Sequence, residues 1–484
     1  MLIRLLIAAV YLGVPAVPIA FVIFGNLPDR LLGRPVMDDI ASMIAMIGFS
    51  IICLEFLVIG RYRQLSSRFG CDAIMRTHQL FARTATVFVI GHPFLYSLWG
   101  VAAQAGGALS NHEKSASTLG IGGWSLLSGG IAWIVLIALI ASAARRHEPN
   151  TNYDRWRFWH AVAALLILVF GLHHTLDAGL YASLLPLQYF WWCLSIAALG
   201  SFATIYLIRP ILQRGSAYRV ETVLKHADDT YGLTLVPQSR QLDPPQPGQF
   251  FWIKRGSPLS HTDHPFSVAG FEPATGAITF LIKAVGDFTR EIPSLKPGEH
   301  FYLDGPHGDF GPPDDARAVV MIAGGIGFAP FLSMVQRLAG SDKKVLLITA
   351  TKTVSEQLET LPRYPGSTNV VETNISWARV VEHSTAEWAG DVGRCDSEIV
   401  TMNLKRYGIS PTDQGTYFLL CGPGPMMSTL EADLVEIGVN LRNIDSERYQ
   451  YDLNPSSPIT RRHLGRWLGL SAGMLLLAIL AATF

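Results

Sequence analysis

Charge is scarce in this chain of 484 residues: 16% of positions are Asp, Glu, Lys or Arg, against 49% hydrophobic. Soluble chains carry roughly a quarter charged residues, so a mean hydropathy of +0.29 excludes a surface solvated by water throughout and points to lipid. Neither sign is in excess. Lys plus Arg number 38 and Asp plus Glu 38, which removes the electrostatic basis for a nucleic-acid partner. Cysteine is sparse as well: Cys53, Cys71, Cys193, Cys395 and Cys421 are scattered, with no CxxC pair. That spacing supports neither a thiolate metal site nor a disulfide framework.

What is present in quantity is long apolar runs. Six fall in the first half, at about 5–24, 40–60, 77–101, 121–143, 159–176 and 186–208, and a seventh at about 465–484 closes the chain. Most reach the ~20 residues needed to cross the hydrocarbon core; the fifth is the shortest and needs its flanking tryptophans at the interface. Arginines sort the loops. Arg61, Arg63, Arg68 and Arg76 lie in one loop, Arg145, Arg146, Arg155 and Arg157 in another, and Arg209, Arg214 and Arg219 follow the sixth run. Loop 102–120 has only Lys114, and loop 177–185 has no Lys or Arg. The positive-inside rule then puts both ends of the six-span unit, and everything from about 215 to 460, in the cytoplasm. Residues 1–20 also resemble a cleaved signal peptide, ending Ala16-Val17-Pro18-Ile19-Ala20, but Arg4 is a thin basic region for one.

Histidines inside such runs are costly and point to function. The third run carries His78 and His92, and the fifth carries His160 and the pair His173-His174. His78 to His92, and His160 to His174, are both steps of fourteen residues. Such a step returns to within about 40° of the same helix face after about 21 Å of rise. Each first histidine follows a cytoplasmic-side arginine closely, so the pairs sit at matching depths. Two facing helices thus offer two stacked His–His pairs, and neutral imidazoles from two helices suit the axial positions of haem iron. The other reading of such histidines is hydrogen bonding between helices or placement at the interface.

This region resembles the ferric reductase transmembrane family, which includes the NADPH oxidases. The resemblance implies two b-type haems between the third and fifth helices of a six-helix unit. In many members the fifth-helix pair is thirteen residues apart, which selects His173; ideal helical spacing selects His174. Both stand as ligands of the outer haem, with a slight preference for His173.

From about 216 the composition changes to short β-like runs: Tyr218–Leu224, Tyr231–Val236, Gln249–Lys254, Ile278–Ala284 and His300–Leu303. Pro and Gly punctuate them, and they read as a small antiparallel barrel. From about 317 strand and helix alternate. Val319–Ala323 is a buried strand that turns through Gly324-Gly325-Ile326-Gly327-Phe328-Ala329-Pro330 into a helix beginning Phe331-Leu332. Glycines there let the backbone approach a phosphate at a helix N-terminus. Strand Val345–Ala350 follows, and Thr416–Leu420 runs into Cys421-Gly422-Pro423-Gly424-Pro425. This is a doubly wound nucleotide-binding sheet.

One Gly-rich turn is a weak signal. Two of them in this order after His264-Pro265-Phe266-Ser267 resemble the ferredoxin–NADP reductase family over about 216–454. The resemblance implies that His264, Pro265, Phe266 and Ser267 hold FAD, with Ser267 near its reactive edge. It assigns Lys283, Gly286, Asp287, Phe288 and Thr289 to the pyrophosphate region of FAD. Gly324, Gly325, Gly327 and Pro330 are assigned to the dinucleotide phosphates, and Cys421 and Gly422, with Pro423, Gly424 and Pro425, to the nicotinamide side. Alone, Cys421 also reads as a small buried hydrophobe. Tyr449 resembles the family's flavin-stacking aromatic, though the chain continues beyond it and a surface tyrosine is the other reading.

The expected fold is a membrane α-helical bundle of six helices plus one C-terminal helix, fused to a β-barrel FAD domain and an α/β doubly wound NAD(P)H domain. The boundaries are 1–214, 215–314, 315–454 and 460–484. The implied function is transmembrane electron transfer from NADPH or NADH through FAD and two haems. The acceptor is ferric chelate, oxygen or an extracytoplasmic protein. Lys352, just past a strand end, favours NADPH if it meets a 2′-phosphate.

Overall fold

The computed structural model describes residues 2–24, 36–59, 61–63, 66, 70–105, 123–146, 148, 151–177, 181–182, 184–238, 241–260, 262–361, 374–448 and 456–483. Each apolar run forms one long helix: α1 (Leu2–Phe24), α2 (Val36–Val58), α3 (Cys71–Ala105), α4 (Gly123–Ala144), α5 (Tyr153–Asp177) and α6 (Leu185–Ala203). α6 continues through a π-turn at Thr204–Ile208 into Arg209–Gln213. Among the described residues, five helices are long and apolar enough to cross a membrane, the last of them Pro458–Thr483. Helical geometry is what lipid demands, since every backbone donor and acceptor is satisfied within the segment. The fifth helix proves longer than its apolar run. Asn152 Oδ1 accepts from the Arg155 N–H at 2.9 Å, so the helix is capped nearly two turns before the hydrophobic stretch and takes Asp154 and Arg157 into its first turns.

After the sixth helix, β1 (Ala217–Ala227), β2 (Thr230–Pro237), β3 (Phe250–Arg255), β4 (His264–Glu272), β5 (Ala277–Lys283) and β6 (His300–His307) close a barrel in the order β1-β2-β5-β4-β3-β6. All its pairings are antiparallel. Alternating inward residues fill it, among them Tyr218, Phe251, Phe280 and Phe301. The His264-Pro265-Phe266-Ser267 motif begins β4, a strand beyond the five β-like runs of the sequence.

The second sheet is parallel throughout and has the order β10-β9-β8-β7-β11-β12. Its strands are β7 (Ala318–Gly324), β8 (Lys344–Thr353), β9 (Ile375–His383), β10 (Asp391–Val392), β11 (Thr416–Gly422) and β12 (Ile444–Arg448). Every residue of β7 is buried, which is why it reads as a continuous apolar run. Helices α7 (Ala329–Leu338), α8 (Ser397–Arg406) and α9 (Gly424–Glu436) complete the layers. α7 starts two residues before the predicted Phe331, after a 3-10 turn over Gly325–Phe328.

The chain divides into two compact units that do not follow chain order. One comprises Met1–Gly60, Thr77–Tyr206 and Leu464–Phe484; the other comprises Arg61–Arg76 and Leu207–His463. The basic residues at 61–63 explain the first crossing. Arg61 pairs with Asp263 at 2.6 Å and lies over the Trp252 ring at 3.8 Å. Arg63 pairs with Asp243 at 2.8 Å and donates to the Gly305 carbonyl. The C-terminal helix, α10 (Pro458–Thr483), belongs mostly to the membrane unit. Met474, Ala478 and Ala481 enter its core, and Trp467 Nε1 donates to Thr84 Oγ1 at 2.7 Å.

Where β12 ends, Arg448 and Glu431 form a fully buried ion pair at 2.8 Å. Ser428 accepts from Arg448 at 3.0 Å, and Ser457 donates to Glu431. Removing one partner of such a pair leaves the other desolvated, at a cost of about 3–5 kcal/mol. Glu431→Ala is therefore expected to lower the thermal midpoint of the NAD-binding half by several degrees or more. An unchanged midpoint by scanning calorimetry would contradict this ledger.

Candidate functional site

Two groups of chemically able side chains emerge, one in each unit. In the membrane unit, α3 and α5 bring His78 and His160 together, with ring centroids 6.5 Å apart and planes at 80°. Metal–imidazole bonds of about 2 Å on each side would place two axial rings roughly 6 Å apart, so this separation admits one metal atom. A carboxylate has no proton to give, so the 2.7 Å contact between His78 Nδ1 and Glu55 Oε2 makes Nδ1 the donor. The Nε2 lone pair of His78 is then free for a ligand. His160 Nδ1 is buried and has no hydrogen-bond partner among the described residues.

The second histidine set surrounds a cavity of about 620 Å³, within the usual size of a cofactor site. His92 and His174 line it, together with Phe49, Trp133 and Trp191. His92 Nδ1 donates to the Val89 carbonyl at 2.7 Å, and His174 Nδ1 donates to the Ser125 carbonyl at 2.9 Å. These bonds fix the same tautomer as in His78. His173 is not among the lining residues. Its ring is exposed and its Nδ1 meets Ser128 Oγ at 2.9 Å. A Cβ at Gly129 would lie 2.5 Å from His174 Nδ1, so only glycine there lets α4 approach the ring. Among the described residues no three or more His, Cys, Asp or Glu side chains converge as a metal site; the donors come in twos.

Glu55 and Gly129 escape the spacing argument. The signal for Glu55 is nonetheless in the sequence: it is a lone carboxylate inside an apolar run, the kind of residue that bilayer cost marks as functional.

In the other unit, the strand order reverses between β7 and β11. Ligands of open α/β sheets bind beyond the carboxyl ends of the strands at such a switch point. Both Gly-rich turns meet there, with Ala323 paired to Cys421. A Cβ at Gly327 would fall 2.1 Å from the Cys421 carbonyl oxygen, and one at Gly422 would fall 3.1 Å from Gly324 Cα. Gly325 instead has φ +55° and open space around it. Cys421 is fully buried. Pro330 sits in the first turn of α7, while Pro423 is the N-cap residue of α9, whose first turn holds Gly424 and Pro425.

On the barrel, His264 stacks on Phe288 with centroids 4.2 Å apart, and Phe266 lies 6.1 Å from the same ring. Ser267 is buried and paired opposite Phe250. Thr289 Oγ1 accepts from the Val285 and Gly286 N–H groups at 3.0 and 2.8 Å, closing the turn that exposes Asp287. Lys283 pairs with Glu356 at 3.3 Å, and both line a narrow notch with Thr230, Gly325 and Phe328. On β6, burial pushes the Asp304 carboxyl up, but the His307 imidazole 3.4 Å away and the charges of Arg209 and Arg61 outweigh it and hold the group below its usual range. Tyr449 lies outside the described residues.

Comparison with known proteins fits both halves. Residues 44–171 match the ferric reductase like transmembrane component, and residues 321–432 match the oxidoreductase NAD-binding domain. NADH-cytochrome b5 reductase 1 of Candida albicans is 32% identical over 171 residues, covering 34% of this chain and 55% of that protein. The protein of the same name from Laccaria bicolor is 24% identical over 229 residues, covering 46% and 69%. The chain thus spans little more than half the length of the first relative. Among solved structures, the flavohem-like FAD/NAD-binding domain of nitric oxide dioxygenase from Vibrio cholerae matches at 20% identity and TM-score 0.41, over 49% of this chain and 98% of that one. Joining a ferric-reductase-like membrane component to an oxidoreductase NAD-binding domain in one polypeptide, the chain has the architecture of the ferric reductase / NADPH oxidase superfamily.

Proposed function

We propose that the protein is a multi-pass membrane oxidoreductase. It takes electrons from NAD(P)H and delivers them through FAD and two b-type haems to an acceptor on the opposite membrane face, ferric chelate or oxygen. The observation that carries this is the pairing of histidines from α3 and α5 at two levels: His78 beside His160, and His92 with His174 around one cavity. Each pair would hold one haem, whose porphyrin supplies the rest of the iron's donors. Donors that come in twos fit haem and do not fit a bare ion, which needs three or four. When bound, FAD would convert the two-electron hydride of NAD(P)H into single electrons and the haems would conduct them.

The protein's own groups supply binding and position. His264 and Phe266, ordered by Phe288, would hold the isoalloxazine with Ser267 behind it. The turn closed by Thr289, together with Lys283, would meet the FAD pyrophosphate. Gly325 and Gly327 would let NAD(P)H phosphates reach the backbone N–H groups before α7. Cys421 and Gly422 would flank the nicotinamide, and Tyr449 would stack on the flavin. Lys352, which lies within β8 rather than past its end, would incline the nucleotide site to NADPH if it meets a 2′-phosphate. The arginine-rich loops support a cytoplasmic location for the flavin and nucleotide domains.

Steady-state oxidation of NAD(P)H by purified protein tests this reading, with oxygen or ferric chelate as acceptor and with or without superoxide dismutase. A low-spin b-type spectrum with about two haems per chain and turnover with either acceptor is the expected outcome. Full FAD with no haem after haem-replete expression would sink it.

A further inference from the structure

We infer that Glu55 holds the reduction potential of the haem at His78 and His160 below that of the haem at His92 and His174, so that electrons run downhill across the membrane; this rests on the two-haem reading above. The four Nδ1 positions differ in their chemistry. His92 and His174 donate to neutral backbone carbonyls, and His160 Nδ1 has no partner among the described residues. His78 alone of the four donates to a carboxylate, at 2.7 Å. A carboxylate behind an imidazole raises its basicity toward the metal. A more basic axial ligand stabilises ferric over ferrous iron, and hydrogen bonding of this kind is one of the protein's levers on haem potential.

Glu55 is built into this position. It is 6% exposed, in the last turn of the apolar helix α2, where a buried carboxylate without partners would be costly. Its second oxygen accepts from the Tyr11 hydroxyl at 2.8 Å. Tyr11 is fully buried and its ring stacks on Phe81 at 4.0 Å. Both carboxylate oxygens are therefore engaged, one by Tyr11 and one by His78. Three helices, α1, α2 and α3, contribute one residue each to the chain Tyr11–Glu55–His78. The two substitutions along it act with opposite sign. Losing the charge at Glu55 weakens His78 as a donor to iron. Losing the Tyr11 hydroxyl leaves more of the carboxylate's charge for His78 and strengthens it.

Potentiometric titration of the purified full-length protein at one fixed pH, followed at the haem absorption bands, tests the role. Wild type should give two one-electron waves. Glu55→Gln should raise the lower wave, cutting the ferric-to-ferrous ratio at a given potential at least tenfold, or 59 mV for one electron. The upper wave should stay in place. Tyr11→Phe should move the lower wave the other way. Haem content measured alongside separates the possible failures. Haem-free wild type would overturn the haem reading itself. Two haems with both waves unmoved in Glu55→Gln, or with the upper wave moved instead, would overturn the role of Glu55 alone. If Glu55→Gln does not retain haem, Tyr11→Phe decides: a lower wave that fails to fall overturns the proposal, and a fall supports it. A bond that served packing only would not produce shifts of opposite sign.

Discussion

His174→Ala is expected to lose the haem nearest the cavity, dropping content from about two to roughly one per chain, and to abolish electron delivery to any acceptor across the membrane. His92→Ala should do the same. His173→Ala should keep both haems and most of the activity. The contrast follows from placement. His92 and His174 line the 620 Å³ cavity, while the His173 ring is exposed and bound to Ser128. Reduction of a soluble dye by NAD(P)H needs only the other unit and should survive in all three variants, which guards against misfolding as the explanation. The family spacing inclines toward His173. A haem spectrum halved by His173→Ala and intact in His174→Ala would restore that choice and imply a local irregularity in α5.

Nucleotide access gives the second large effect. Gly327→Ala should cut NAD(P)H-driven dye reduction by about 100-fold, the scale of loss when a reacting pair is displaced by about 1 Å. The added carbon would sit 2.1 Å from the Cys421 carbonyl oxygen. The atoms it meets are backbone, so the β7 and β11 turns must separate. A bulky residue at Gly327 therefore tests packing as much as access. Gly325→Trp is the cleaner block. Open space surrounds Gly325, so the indole would project into the crevice, at about 1–2 kcal/mol for a left-handed backbone. That variant should retain FAD and a near-native melting temperature while losing turnover with NAD(P)H. Chemical reduction of its haems by dithionite should remain. Wild-type dye reduction in Gly325→Trp would show that the dinucleotide lies elsewhere.

Much of this was legible before any coordinates. Seven apolar runs became seven helices because lipid leaves a backbone so few choices. The buried strand Val319–Ala323 and the turn after it were equally plain, since a fully covered parallel strand admits only apolar residues. The His78/His92 and His160/His174 steps were readable because a helix converts residue count into direction and depth. Less was visible where meaning depends on a partner distant in sequence. Glu55 sat unremarked in α2, since its significance lies in Tyr11 and His78 on two other helices. Arg61 and Arg63 read as signals of sidedness, whereas their partners Asp263 and Asp243 belong to the barrel.

The sequence by itself determined the inventory: membrane helices, paired histidines, an antiparallel barrel and two glycine turns. Each is encoded by local periodicity or by a residue type with a narrow conformational range. Only the tertiary structure decided which members meet. It brought Gly324–Gly327 against Cys421–Gly422 by reversing strand order between β7 and β11. It set His174 rather than His173 beside the cavity, with Gly129 of α4 pressed against its ring, and it put one carboxylate behind one of the four paired histidines. Those choices arise from packing between elements far apart in the chain, where a single ångström separates a contact from a clash and no sequence period records which side a neighbour will occupy.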